Sequence, residues 1–296
     1  MTIDSHTLPD PFRSLGEESA KSTDGFFDPD GPFWKISRES VVYLGGLRAL
    51  LMQIAHPKVA QGVADHSRFR EDPFGRARRT FQMVHAIVFG SRDTALRAVA
   101  AIRAVHSQVR GRLPEPVPGI SDPAYEATDP QLLFWVYATL VDSSLHAYDT
   151  FLPPLNAEER ETFYQESKVF ARLMGIDDVY LPGSFADFRQ WLDEALAGDV
   201  LTVTETARVV ASALLKGPWH FIVLRPATVA LTAGLLPPKL REAFGLPWNP
   251  PVRKAYATGV QAIRVLARCV PADWRALPAA KRAEKRRRAA LNRSRL

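Results

Sequence analysis

His106 follows Val99 and Ile102 and precedes Val109 at spacings of three, four and three, so a helix here carries all four on one face. An imidazole on an apolar helix face has to be hydrogen-bonded or bound to a metal. Left unsatisfied, a buried polar group costs about 1–3 kcal/mol. A satisfied core histidine and an axial metal ligand both fit that spacing, which leaves the two open. One helix earlier, Arg76, Arg79 and Thr80 precede the apolar run Phe81, Met83, Val84, Ile87 and Val88. Arg76 and Thr80 are four apart and share a helical face. A guanidinium beside a hydroxyl suits a carboxylate, in the charge-assisted geometry that arginine favours. The same residues also fit a surface arginine and a threonine bonding back to its own helix.

The other histidines carry less. His66 ends a short helix beside Asp65 and Ser67 and is a candidate second group at a cofactor site. His56 precedes Pro57 and reads as a helix-end group bonding backbone carbonyls. His85 reads as a packed core imidazole. His146 lies four residues after Asp142, a spacing that predicts a structural pair across one helix face.

The elements that must position these groups read almost entirely as helices. Val41 to Ala55 is a 15-residue apolar run holding Arg48 and Gln53, and it reads as one buried helix that stops before Pro57. Pro57 opens a second helix towards His66. Helices are expected over about 75–89, 93–110, 130–150 and 157–174, with Gly90, Gly111 and Gly175 as stops. Asp129, Asn156 and Ser184 read as N-caps. Between 111 and 129 the prolines at 114, 116, 118 and 123 mark a surface connection. Further helices are expected over about 202–215, 227–236, 238–244 and 252–269. Helix on helix around one core is the predicted architecture: an all-α, single multi-helix globular domain. An extended arm over 1–35, a helical domain over 36–278 and a basic tail over 279–296 divide the chain.

The 296 residues can bury a large core, and 46% hydrophobic with 24% charged residues is ordinary for a globular protein. No stretch reaches the roughly 18 uninterrupted apolar residues of a membrane span. The N-terminus lacks a basic-then-apolar leader, and the single Cys269 forms no internal disulfide, so a reducing cytoplasm is expected. The net charge of +6 is unevenly spread. Eight basic residues and one acid between Ala279 and Leu296 carry +7, leaving the rest of the chain at −1. A nearly neutral body argues against specific nucleic-acid binding. The tail reads as a solvated end, with peripheral contact to anionic membrane as the working alternative. On either reading the core should be indifferent to its loss.

Taken together, several runs resemble one family. They are His56-Pro57, then Gly62-Val63-Ala64-Asp65-His66-Ser67-Arg68-Phe69, then Asp72-Pro73-Phe74-Gly75-Arg76. Arg79-Thr80, Phe89-Gly90, and His106 with Val109-Arg110-Gly111 continue the match. Leu132-Leu133-Phe134-Trp135-Val136, Ala138-Thr139-Leu140-Val141-Asp142, Tyr164, Gly175 and Leu181-Pro182 extend it, over roughly residues 40 to 240. The pattern resembles the group of fungal MpaB oxygenases and bacterial latex-clearing proteins (rubber oxygenases).

That resemblance implies an all-helical fold binding one haem b, with His106 in the place of the proximal iron ligand. Arg76 and Thr80 match an Arg-x-x-x-Thr pair that supports the haem site and its catalysis, with Arg79 and His66 as further cofactor contacts. A single protein ligand leaves the sixth iron position open for O2. The rubber-cleaving members also use an acidic base above the haem. Here Asp65 and Glu71 are the nearest acids, and neither falls at a matching place, so polymer cleavage does not carry over. The implied function is haem-dependent oxygenation of an apolar, unsaturated small molecule. A haem-binding or sensing protein without turnover, and a cofactor-free helical interaction protein, are the alternatives.

Overall fold

The computed structural model describes residues 25–67, 73–216 and 224–293, apart from the side chains of residues 73, 74, 76, 77, 291 and 293. Within them the chain forms fourteen α-helices and one two-stranded sheet, as the all-α reading requires. α1 (Pro32–Ser37) leads through a 3-10 turn at Ser40–Gly45 into α2 (Gly46–Ile54) and α3 (Pro57–His66). α4 (Pro73–Phe89) and α5 (Arg92–His106) form a hairpin. After the strands β1 (Arg110–Arg112) and β2 (Ala124–Glu126) come α6 (Pro130–Phe151), α7 (Ala157–Met174), α8 (Phe185–Ala197) and α9 (Glu205–Lys216). α10 (Arg225–Leu235), α11 (Pro238–Ala243), α12 (Pro250–Cys269), α13 (Ala272–Arg275) and α14 (Pro278–Arg293) complete the order.

α6 is the centre of the molecule. It is apolar on most faces, and a helix of that kind is stable only when surrounded. The 3-10 turn, α1, α2, α7 and α12 all pack on it. Its start is fixed by Asp129, whose carboxylate accepts the Gln131 amide at 2.8 Å. α7 begins with a reciprocal capping box between Asn156 and Glu159 and stops at Gly175, at φ +91°.

Three features depart from the sequence reading. The run 41–55 is not one helix: it changes from 3-10 to α at Gly45-Gly46. There α6 comes so close that a Cβ on Gly45 would lie 2.9 Å from the Ser143 carbonyl oxygen. The N-terminal arm does not extend to 35, because Phe26, Phe27, Phe33 and Trp34 are buried, with Trp34 edge-on to Phe89 at 4.9 Å. Four large aromatics in nine residues contribute more by burial than a solvated arm could.

The basic C-terminal segment is a docked helix rather than a solvated end. α14 packs on α4, with Ala280 and Ala283 buried, and Arg286 donates to the Phe89 carbonyl at 3.0 Å. Arg38 holds Glu284 at 3.1 Å and Asp273 at 3.0 Å. Cutting the chain at Pro278 would therefore expose core surface, contrary to the expectation of indifference. No helix among the described residues is long and apolar enough to cross a membrane.

Candidate functional site

The α4–α5 hairpin carries Arg76, Arg79, Thr80 and His106, and its far end holds Arg76 and His106. Its turn is only Gly90-Ser91, and the Ser91 side chain starts α5 by accepting the Thr94 amide at 3.3 Å. Arg76 lies 13 residues before Phe89, and His106 lies 14 after Arg92. At 1.5 Å per residue both sit at the far end of the hairpin, roughly 20 Å from its turn. Arg76 is placed here by its backbone alone, since its side chain falls outside the described part. Residues 68–72, which include Glu71, also fall outside it.

His106 is the last residue of α5, one turn earlier than the expected helix end. The chain then bends, with the Val109 amide donating to the His106 carbonyl at 3.0 Å, and passes into β1. Val109 therefore leaves the helical face that Val99 and Ile102 share with the histidine. The His106 ring is half-buried and makes no hydrogen bond among the described residues. Burial pushes its pKa below the ordinary histidine value, favouring the neutral imidazole that binds a metal.

Around the end of α5 a polar cluster pins the backbone. His66, exposed at the end of α3, has Nε2 3.1 Å from the Arg110 carbonyl, so that nitrogen is engaged with backbone. The Tyr125 hydroxyl donates to Asp65 at 2.5 Å, and the Gln61 amide donates to the other Asp65 oxygen at 2.8 Å. Burial first, and then the Asp65 carboxylate, raise the Tyr125 pKa. Gly111 packs so closely on this ring that a Cβ there would meet the Tyr125 hydroxyl at 2.5 Å.

Thr80 lies elsewhere on α4. It lines an apolar cavity of about 190 Å³ between the 3-10 turn, α2, α4 and α6. Phe81, Val84, Ala49, Leu140 and Tyr137 form much of its wall, and His106 is not part of it. Arg79 and Thr80 are both exposed. Arg76 and Thr80 thus share α4 with the cavity wall, and His106 ends the partner helix.

The sequence reading missed Tyr43 altogether. It lines the same cavity, and its hydroxyl makes a short hydrogen bond with His85 Nε2. His85 is accordingly a bonded side chain, with its pKa lowered by burial and then by Arg282. Only a tyrosine in the apolar run 41–55 hinted at this. His56 accepts the Lys58 amide through Nδ1 at 3.2 Å, so it is an N-cap acceptor and not a donor to carbonyls. Asp142 pairs with Arg48 and Arg189 in place of His146.

A histidine-ligated haem needs one imidazole from the protein and an apolar surround. The His106 imidazole fits the donor, while the apolar cavity beside Thr80 is lined from α4 and does not include His106. Among the described residues no group of three or more His, Cys, Asp or Glu comes together to hold a bare metal ion.

The chain is 26% identical over 229 residues to the uncharacterised protein Rv2237 of Mycobacterium tuberculosis, covering 75% of this chain and 87% of that one. It is equally similar to the uncharacterised protein Mb2261 of Mycobacterium bovis. No solved structure matches the chain. Residues 34–270 match the model described as ER-bound oxygenase mpaB/B'/Rubber oxygenase, catalytic domain, and the chain belongs to that family.

Proposed function

We propose that the protein is a haem-b-dependent oxygenase acting on an apolar, unsaturated small molecule of isoprenoid or lipid-like character, with O2 as co-substrate. The observation that carries this reading is the His106 imidazole: half-buried, with its pKa lowered by burial, and without a hydrogen bond among the described residues. In this reading His106 holds the iron. Arg76 and Arg79 supply positive charge for the haem carboxylates, and Thr80 sets a hydroxyl at the polar end of the site. Bound haem supplies oxygen activation at its open iron position. The protein's part is to orient an apolar molecule against Phe81, Val84 and Leu140 and to keep water away.

Support comes from the family's oxygenase catalytic domain and from the apolar cavity on α4. An apolar substrate also suits a protein at work on a membrane surface. The basic segment from Ala279 onward supplies charge for peripheral contact with anionic lipid on the cytoplasmic side.

The visible spectrum of the purified protein, with reconstitution by haemin, tests the reading. A haem Soret band that His106→Ala loses or greatly weakens is expected. Full haem content and an unchanged ferrous–CO spectrum in that variant would remove the ligand assignment. A wild-type protein that takes up no haem would end the oxygenase reading.

A further inference from the structure

The strongest unassigned feature is a corner of the surface where α12, α13 and α14 meet. Ala280 and Ala283 are buried, which fixes the inward side of α14. Lys281, Lys285 and Arg288 follow at steps of four and three and are exposed, so they form a stripe on the outward side. Arg282 is exposed on its flank. Glu284, the one acid of this helix, lies three residues after Lys281 and four before Arg288, next to the stripe, and is held by Arg38. The stripe is therefore net positive, with Glu284 neutralised by Arg38 and the exposed Asp273 as the acid beside it.

Beside it stand large apolar side chains in water. Trp274 is 79% exposed, Leu266 63% and Val265 56%. The structure holds them in place. Arg275 donates to the carbonyls of Ala267 at 2.6 Å and Val270 at 2.8 Å, fastening α13 onto the end of α12. Arg38 bridges Asp273 and Glu284, fastening α13 to α14. The tryptophan and the basic stripe are thus parts of one rigid corner.

We infer that this corner docks on an anionic membrane surface, with Trp274, Leu266 and Val265 entering the interface and the α14 stripe meeting lipid headgroups. The inference deepens the peripheral contact of the proposed function and rests on that reading for its purpose. Tryptophan favours the boundary between headgroups and acyl chains, and lysine and arginine favour anionic headgroups. A nucleic acid would account for the stripe but not for the bare apolar side chains. A symmetric second copy would set like charges against each other. Docking in this pose also places lipid one helix away from the cavity, because α14 lies on α4, whose Thr80, Val84 and Phe89 line it.

The test is co-sedimentation of the full-length protein with vesicles of phosphatidylcholine alone and of phosphatidylcholine mixed with phosphatidylglycerol. Binding to the mixed vesicles should be stronger than to neutral ones by up to about a thousandfold, given four exposed cations near the surface. It should fade with salt as the screening length drops from about 10 Å at 0.1 M to about 3 Å at 1 M. Lys281→Glu with Lys285→Glu and Arg288→Glu should abolish the preference for anionic lipid. Trp274→Ala, at an exposed site that leaves the fold alone, should weaken binding severalfold while keeping that preference. A fluorophore on Cys269, the single cysteine and exposed, should report a drier surround on docking.

Equal pelleting with both vesicle types, or unchanged binding by the triple variant, overturns the inference. So does a dimer that Trp274→Ala dissolves, which would make the corner a self-association face. Lipid binding that Trp274→Ala leaves intact and an RNA homopolymer displaces would make it a polyanion site instead. Haem content read in the same samples separates the two claims. Docking without haem removes the oxygenase and keeps the surface, and haem without docking does the reverse.

Discussion

Arg48 of α2 and Asp142 of α6 form an ion pair inside the protein, at 4% and 7% exposure. The arginine also donates to the Leu235 carbonyl at 2.8 Å and the Ser143 hydroxyl at 2.6 Å, and Arg189 takes the other Asp142 oxygen. Every charged atom of the pair therefore has a partner, the condition for tolerating charge at that depth. Asp142→Ala strands the Arg48 cation and should lower unfolding free energy by about 3–5 kcal/mol in a urea titration. Arg48→Met combined with Asp142→Leu should recover most of the loss. If the double variant is no more stable than Asp142→Ala, the penalty lies in packing and not in the unpaired charge.

His56 gives a pH dependence of known sign. Its neutral Nδ1 caps α3, and burial first, then Lys58, lower its pKa from the ordinary 6.5 to about 4. The unfolded chain takes up a proton below pH 6.5, while the folded one resists until about 4. The contribution is therefore complete above about 6.5 and lost as pH falls towards 4, at up to about 1.4 kcal/mol per pH unit. Replacing the residue by His56→Asn keeps a cap acceptor without a titration. The stability difference between wild type and variant should narrow or reverse between about pH 6.5 and pH 4. A difference that stays constant across that window would assign the proton uptake to other groups.

Arg76 and Thr80 are expected to matter to haem more than to folding. Arg76→Ala should reduce haem occupancy severalfold on titration with haemin, while far-ultraviolet circular dichroism stays at the wild-type value. Thr80→Val keeps the volume of the side chain and should shift the haem spectrum or its redox potential. Variants that lose only melting temperature, with haem uptake and potential intact, would make both residues structural.

Much of the fold was legible because its signals are local. Asp129, Asn156 and Ser184 each announce a helix within three residues, and Gly175 ends one by taking φ +91°. Asp142 was harder. Arg48 in an apolar run signals a buried partner, but that partner lies 94 residues away, while His146 stood at an inviting local spacing. The hairpin of β1 and β2 was hidden by the prolines between its strands. At the candidate site, His106 and Thr80 were singled out by spacing and resemblance. The Tyr43–His85 contact was not, because it depends on how the 3-10 turn meets α4.

The clasp between the two ends of the described chain has a kinetic consequence. Glu39, 6% exposed, is held by Arg275 at 2.9 Å across 236 residues, and the Leu277 amide donates to the Arg38 carbonyl at 2.8 Å. On a ribosome the first helices emerge long before these partners exist. Contacts of such long sequence separation close late and slow folding. Until then Glu39 has no cation from α13, and the side of α4 that α14 covers stays wet. α14, made after the helices it packs against, thus covers α4 only once the rest of the described chain has emerged.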